Sequence, residues 1–342
     1  MVKAGHYYYD QLNKEQQKAY YAIKEGLLNL QDSFAVPMLS QKELSDIYFL
    51  IRMDRPEIFY SVTFSYKYYG NSTAVEMVPQ YLFSKDKIRE HRQAMESRVK
   101  KLARQAVNLD EKGKELFIHD FIVENVKYDK LKKPYSHEII GALGNGVAVC
   151  EGIAKAVKIL CDELNIWCII ALSEANPEKG IKYRHAWNVI RINGQYYHLD
   201  VTFDNTLSRD GTVRYDYVNL SDKQIFRDHE AVIWKIPACS DNDHFYYKEK
   251  KISWTTMDEV RNRTKQAVKK GKVLLFHWRG GYLTKEILTQ LMEIFDEEAG
   301  AKEKTAYVSV NWPQAVLRVR FEDGIGEEQL EMEEANEGEK MS

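Results

Sequence analysis

Three residues in this 342-residue chain, Cys150, His185 and Asp200, are of the types that can work together as a thiol nucleophile. A cysteine thiolate attacks an amide carbonyl. A neighbouring imidazole stabilises the thiolate as an ion pair and later protonates the leaving amine, and a carboxylate on the far ring nitrogen fixes the tautomer and orientation of the ring. Cys150 opens the segment CEGIAKAVKILCDELN, whose apolar residues at 150, 153, 154, 157, 160, 161 and 164 trace one helical face. At a helix start, unpaired N–H groups and the positive dipole end favour thiolate over thiol. The N–H of Cys150 itself points out of the unfinished first turn and is a candidate oxyanion donor; the sequence names no second one. Taken singly, a cysteine on an apolar helix face is usually an inert small hydrophobe, and a strand histidine is usually structural. Their conjunction with Asp200 is what points to chemistry.

A hairpin must bring His185 and Asp200 together. RHAWNVIRI, Asn193 and Gly194, then QYYHLDV is the strongest hairpin signal in the chain. A two-residue loop sets opposed residues to numbers summing to 387, which places Trp187 opposite Asp200 and His185 opposite Thr202. Asp200 then becomes the diagonal neighbour of His185, about 7–8 Å away on the same sheet face. That face carries His185, Trp187, Val189, Arg191, Tyr196 and His198; the other, with Ala186, Ile190, Ile192, Leu199 and Val201, is predicted to be the more buried, although Asn188 lies on it. Trp187 has two equal readings, a wall of the site or a packed aromatic, and Tyr183, at the edge of the loop SEANPEKGIKY, is predicted to contact substrate; His198 reads as structural.

The remaining chain supplies the frame. Asp10 is predicted to cap a first helix through Tyr20, Ile23, Leu27 and Leu30, and Ser40 with Glu43 forms a capping box for a second. IFYSVTFSYKYY and TAVEMVPQY read as paired strands, with helices over about 86–106 and 110–126. From 245 to 321 strand and helix alternate with short links, the pattern of a small α/β domain. Residues 322–342 hold nine acids and one lysine, a local net of −8 that leaves the other 321 residues at +6; such a tail is predicted to be disordered. Overall, 49 basic and 51 acidic residues give a net charge of −2, with no case for a nucleic-acid or membrane binder. The four cysteines, Cys150, Cys161, Cys168 and Cys239, show no CxxC pairing, which excludes a zinc ribbon or disulfide scaffold and fits a reducing cytoplasmic setting. No apolar leader or membrane-length run is present, and no HExxH, phosphate-loop or dinucleotide fingerprint.

The strings GNGVAVCEGIAKAVKIL, RHAWNVIRINGQYYHLDVTFDNT and YDYVNLSDKQIFRDH, with HDFIVENVKYD and RPEIFY upstream, resemble the transglutaminase-like superfamily over roughly 55–230. The resemblance implies a core with Cys at a helix start and His and Asp on following strands. It makes Cys150 the nucleophile, His185 the base and Asp200 the orienter, acting in acyl transfer from an amide. Ile153 departs from the Tyr or Phe that usually follows CEG in bacterial members, a difference that bears on pocket shape. The expectation is an α+β protein with a papain-like transglutaminase core at 111–240, a helical and hairpin region at 1–110, a small α/β domain at 245–321 and the acidic tail. It requires no cofactor and no metal, and its partner is a protein or peptide substrate. Hydrolysis of peptide or cell-wall peptide amides is the leading activity; cross-linking of Gln to amines and a non-catalytic protein-binding scaffold are the rivals.

Overall fold

A computed structural model describes residues 6–70, 72–179, 181–208 and 211–323, which divide into two compact units, Met1–Asn242 and Asp243–Ser342. In the first unit the helices start where side chains satisfy their free N–H groups. Asn13, not Asp10, caps α1 (Lys14–Leu28): Asn13 and Gln16 exchange bonds as a capping box, and Asp10 falls in a short 3-10 turn upstream. Ser40 and Glu43 form the expected box at α2 (Gln41–Asp54). Strands β1 (Phe34–Pro37), β2 (Ser61–Tyr68) and β3 (Ala74–Tyr81) make an antiparallel sheet in the order β1-β3-β2. Ser84 and Asp110 cap α3 (Lys85–Ala103) and α4 (Glu111–Asn125).

The site is built on the elements that follow. Lys127–Tyr128 (β4) pairs in parallel with Val147–Ala148 (β5). Before β5 lies a π-helical turn, Ile140–Asn145, closed by Gly146 at φ 65°. Helix α5 (Cys150–Glu163) begins directly afterwards. Gly152 in its first turn lets the chain pass close to the preceding loop, since a Cβ there would stand 2.3 Å from the Ser136 carbonyl oxygen. The buried face of α5, Ile153, Ala154, Val157, Leu160 and Cys161, packs on a sheet of four strands, β6 (Cys168–Ser173), β7 (His185–Ile192), β8 (Gln195–Leu199) and β9 (Val218–Leu220), antiparallel throughout. Each large aliphatic side chain buried there contributes about 1.5–3 kcal/mol, so Cys150 is anchored through the helix it begins.

The hairpin has the predicted register. Asn193 and Gly194 both take positive φ, and Ile192 pairs with Gln195 and Val189 with His198. One expectation fails past that point. The ladder ends at Asn188 and Leu199, and the chain turns into α6 (Val201–Leu207), so Asp200 is a helix cap and Thr202 does not face His185 across a sheet. The opposite face is the more buried, as predicted, yet Trp187, Val189 and His198 on this one are buried too, because the segment from α7 (Asp222–Ile225) to His229 covers them through contacts with His198 and Trp187.

The second unit runs α8 (Tyr246–Glu249), β10 (Ser253–Trp254), α9 (Met257–Lys270), β11 (Leu274–Trp278), α10 (Lys285–Gly300), β12 (Lys304–Asn311) and β13 (Val316–Asp323). Its sheet has the order β10-β11-β13-β12, with β10 and β11 parallel and the rest antiparallel. Trp254, Phe276, Leu291, Phe295, Leu317 and Val319 form its core. Glu322 and Asp323 belong to β13; residues 324–342, most of the acidic segment expected to be disordered, lie outside the described residues. Among the described residues no helix is long and apolar enough to cross a membrane.

Candidate active site

Cys150 is the first residue of α5, and the preceding Val149 caps the helix without a side-chain bond. The thiol is half-buried, against Met53, Ala154, Ile170, Leu172 and Ala186. Next to it, Glu151 enters a buried ionic cluster. Lys155 Nζ lies 2.8 Å from both Glu151 and Glu138, Arg52 contacts the same two carboxylates, and His137 Nδ1 is 3.1 Å from Glu151. Burial would raise the Glu151 pKa, but Lys155 and Arg52 hold the carboxyl well below its usual range. Removing one partner of such a cluster costs about 3–5 kcal/mol because it strands a buried charge. The cluster pins the helix start to α2 and to the loop before the π-turn.

His185 lies at the first position of β7 and is hydrogen-bonded through Nε2 to Asp200 Oδ2 at 2.6 Å. With Nε2 committed, Nδ1 is the nitrogen left for the Cys150 thiol, whose hydrogen bond and charge both act on the ring. Burial pulls the imidazole pKa down, but the Asp200 carboxylate, with Cys150, outweighs it and pushes the pKa up to about 10. Asp200 is fully buried and its pKa is held well below the usual carboxylate range: burial opposes ionisation, and the His185 charge and histidine hydrogen bonds overcome it. Its Oδ1 accepts the N–H groups of Thr202 and Phe203 at 2.9 and 3.1 Å. The Phe203 ring stands 4.9 Å from that of His185. Tyr128 also feels the centre: burial and the negative charges of Cys150 and Asp200 push its pKa up to about 12.

The structure brings Cys150, His185 and Asp200 together and packs Trp187 beside them as a buried aromatic, whereas Tyr183 stands apart. Trp187 is 1% exposed; it stacks beside His185 at 5.8 Å and spends its indole N–H on His198 Nδ1 at 2.9 Å, so it backs the centre and offers substrate no surface. Tyr183 is exposed, with the Lys132 ammonium 3.0 Å from its ring centroid, and no described contact joins it to the triad. His229 was not singled out in the sequence. Its Nε2 lies 2.9 Å from Asp200 Oδ2 and its Nδ1 2.7 Å from Asp228 Oδ1. The only signal for it was its place in the string FRDH.

Among the described residues, two groups bring three donor atoms within 4.8 Å of one another: His185, Asp200 and His229, and His198, Asp222 and Cys239. In the first, N···O separations of 2.6 and 2.9 Å are hydrogen-bond lengths; donors sharing a tetrahedral zinc stand about 3.3 Å apart. In the second, the indole N–H of Trp187 can only donate, so His198 Nδ1 is unprotonated and the proton sits on Nε2 toward Asp222, where a metal would have to bind. Both groups are proton-filled networks.

Compared with known proteins, residues 100–201 match the family model of the transglutaminase-like superfamily. No curated protein matches the chain. Among solved structures, a candidate cysteine protease from Cytophaga hutchinsonii is similar at 18% identity and a TM-score of 0.28, covering 41% of this chain and 62% of that one. A TGase is similar at 10% identity and a TM-score of 0.29, covering 66% of each chain. The chain thus spans less than two thirds of the length of either solved relative.

Proposed function

The chain carries a transglutaminase-like superfamily core, and on that premise we propose that it is a cysteine-dependent acyl-transfer enzyme that hydrolyses peptide amides, cell-wall peptides included. The observation that carries this reading is the Asp200–His185 hydrogen bond beside a half-buried thiol at a helix start, with that thiol acting on the same imidazole. The Cys150 thiolate adds to the amide carbonyl carbon and the carbonyl electrons move to oxygen, toward the N–H groups of the first turn of α5. Collapse of that intermediate breaks the C–N bond as His185 gives its Nδ1 proton to the departing amine. Water then attacks the thioester, His185 takes a proton from it, and the acid leaves as the thiol is restored. Asp200 keeps Nε2–H directed away from the thiol, so that Nδ1 is the exchanging nitrogen throughout. Trp187 and Phe203 shield the imidazole from water on its faces.

The test is the rate of iodoacetamide alkylation of Cys150 against pH, read by peptide mass spectrometry in wild type and in His185→Ala. Rapid labelling that persists well below the free-thiol pKa of ~8.5 and is lost in the variant is the expected result. An ordinary thiol profile in wild type would overturn the reading and put the scaffold alternative in front. Incubation of the active enzyme with a Gln-containing protein and a labelled amine separates hydrolysis, expected here, from amine incorporation.

A further inference from the structure

Asp200 is more fully engaged than a triad needs. A carboxylate offers about four acceptor positions, and all are filled: Oδ1 by the N–H groups of Thr202 and Phe203, Oδ2 by His185 and by His229. His229 is 1% exposed at its side chain, and each of its ring nitrogens meets a carboxylate oxygen. A neutral imidazole has one N–H and could serve only one of them; the protonated ring serves both. The titratable groups facing the ring are Asp200 and Asp228, His185 with its ring centroid 5.2 Å away, His198, on which the His229 charge also acts, and the Tyr217 phenol. The other neighbours are the aromatic faces of Trp187, Phe203 and Tyr217. Tyr217 Oη donates in turn to Asp228 at 2.5 Å, fixing that carboxylate.

We propose that His229 is a fourth member of the centre, a protonated positioning residue that bridges Asp200 and Asp228 and restrains the basicity of His185. The inference rests on the acyl-transfer reading. In a simple triad, a buried carboxylate with one partner would hold the His185 proton too tightly for ready delivery to a leaving amine. A second cation on the same Oδ2 withdraws part of that attraction and repels the His185 charge directly, while its hydrogen bond prevents the Asp200 carboxylate from turning. His185 then remains basic enough to hold the Cys150 thiolate and acidic enough to release its proton. Burial lowers the His229 pKa and the two carboxylates more than restore it, leaving it raised.

The experiment is 15N NMR of the histidine rings of the full chain against pH, in wild type, His229→Gln and Asp228→Asn, with His185→Ala identifying the His185 signals. In wild type, His229 is expected to show both nitrogens protonated at pH 7. His229→Gln, which keeps a donor toward Asp200 but no charge, is expected to raise the His185 midpoint by about two pH units, the scale of two like charges about 5 Å apart at an effective dielectric of about 20. Asp228→Asn leaves His229 in place while weakening its hold on the proton, and is expected to move the His185 midpoint the same way. A neutral His229 at pH 7, or a His185 midpoint unchanged in both variants, overturns the proposal. Alkylation of Cys150 in the same samples judges the acyl-transfer reading separately. If wild-type Cys150 behaves as a free thiol that reading fails, whereas low-pH labelling with an unmoved His185 midpoint removes only the role of His229.

Discussion

Replacing Asp200 by Asn changes one atom type and tests the whole line of the centre. With its pKa pushed up from its ordinary 6.5 to about 10, His185 has its charged form favoured by on the order of 5 kcal/mol, and the Asp200 carboxylate is the principal source. In Asp200→Asn the amide carbonyl stays with the N–H groups of Thr202 and Phe203, which turns the NH2 toward His185 Nε2. That nitrogen must then accept, the ring proton moves to Nδ1, and the imidazole meets the thiol with its N–H side, unable to take the thiol's proton. With the carboxylate charge gone, burial is opposed by Cys150 alone and the His185 pKa falls well below its wild-type value. If only half of the 5 kcal/mol reaches the thiolate–imidazolium pair, its population at pH 6 falls about 100-fold. The assay is alkylation of Cys150 from pH 5 to 9, with buried Cys161, Cys168 and Cys239 as internal controls that react only on unfolding. Wild type is expected to label at a nearly constant rate over this range, and the variant to follow a free thiol, gaining about tenfold per pH unit below ~8.5. Labelling of the variant at pH 6 within threefold of wild type would refute the reasoning. Linkage gives a second reading with a fixed sign. Because the folded pKa of His185 lies above its unfolded value, its contribution to stability is complete below about 6.5 and lost as pH rises through about 10; the variant should lack that slope.

Three further outcomes follow from the packing. Gly152→Ala sets a methyl group 2.3 Å from the Ser136 carbonyl oxygen, a backbone atom that cannot turn aside, so the variant should melt lower and label more slowly at Cys150 because the helix start is displaced. Trp187→Phe leaves His198 Nδ1 buried without its donor and should cost about 1–3 kcal/mol in denaturant unfolding, with Cys150 labelling changed far less than in Asp200→Asn. Glu115 is fully buried, and burial pushes its pKa up to about 7, the Asn219 hydrogen bond only partly opposing. Ionising it in the folded state is therefore costly, and Glu115→Gln should stabilise the protein by on the order of 3 kcal/mol at pH 8, with the gain shrinking to nothing as pH falls to 4.5. A gain of equal size at pH 4.5 would show that charge is not its cause.

The parts of this centre that local sequence encodes were legible, and the parts that tertiary packing decides were not. Cys150 announced itself through the apolar period of α5, and Gly152 two residues later marks the close approach that seats it. Asn193 and Gly194 imposed the turn, and the turn imposed the register, because side-chain alternation allows no one-residue slip once a face is buried. That arithmetic brought Asp200 to His185 but through the wrong geometry. Leaving the sheet at Leu199 frees the Asp200 carboxylate to cap α6, and capping is what fills Oδ1 and turns Oδ2 to the imidazole. Nothing in the alternation of the other sheet face reports the segment that covers it, arriving from 24 to 42 residues further along. Asp222 and His229 come from that segment, and their contacts make Trp187 and His198 buried links. His229 has no periodicity, cap or turn of its own to betray it. Its significance lies wholly in meeting Asp200 and Asp228 at once, a property of three side chains in space and of none of them in sequence.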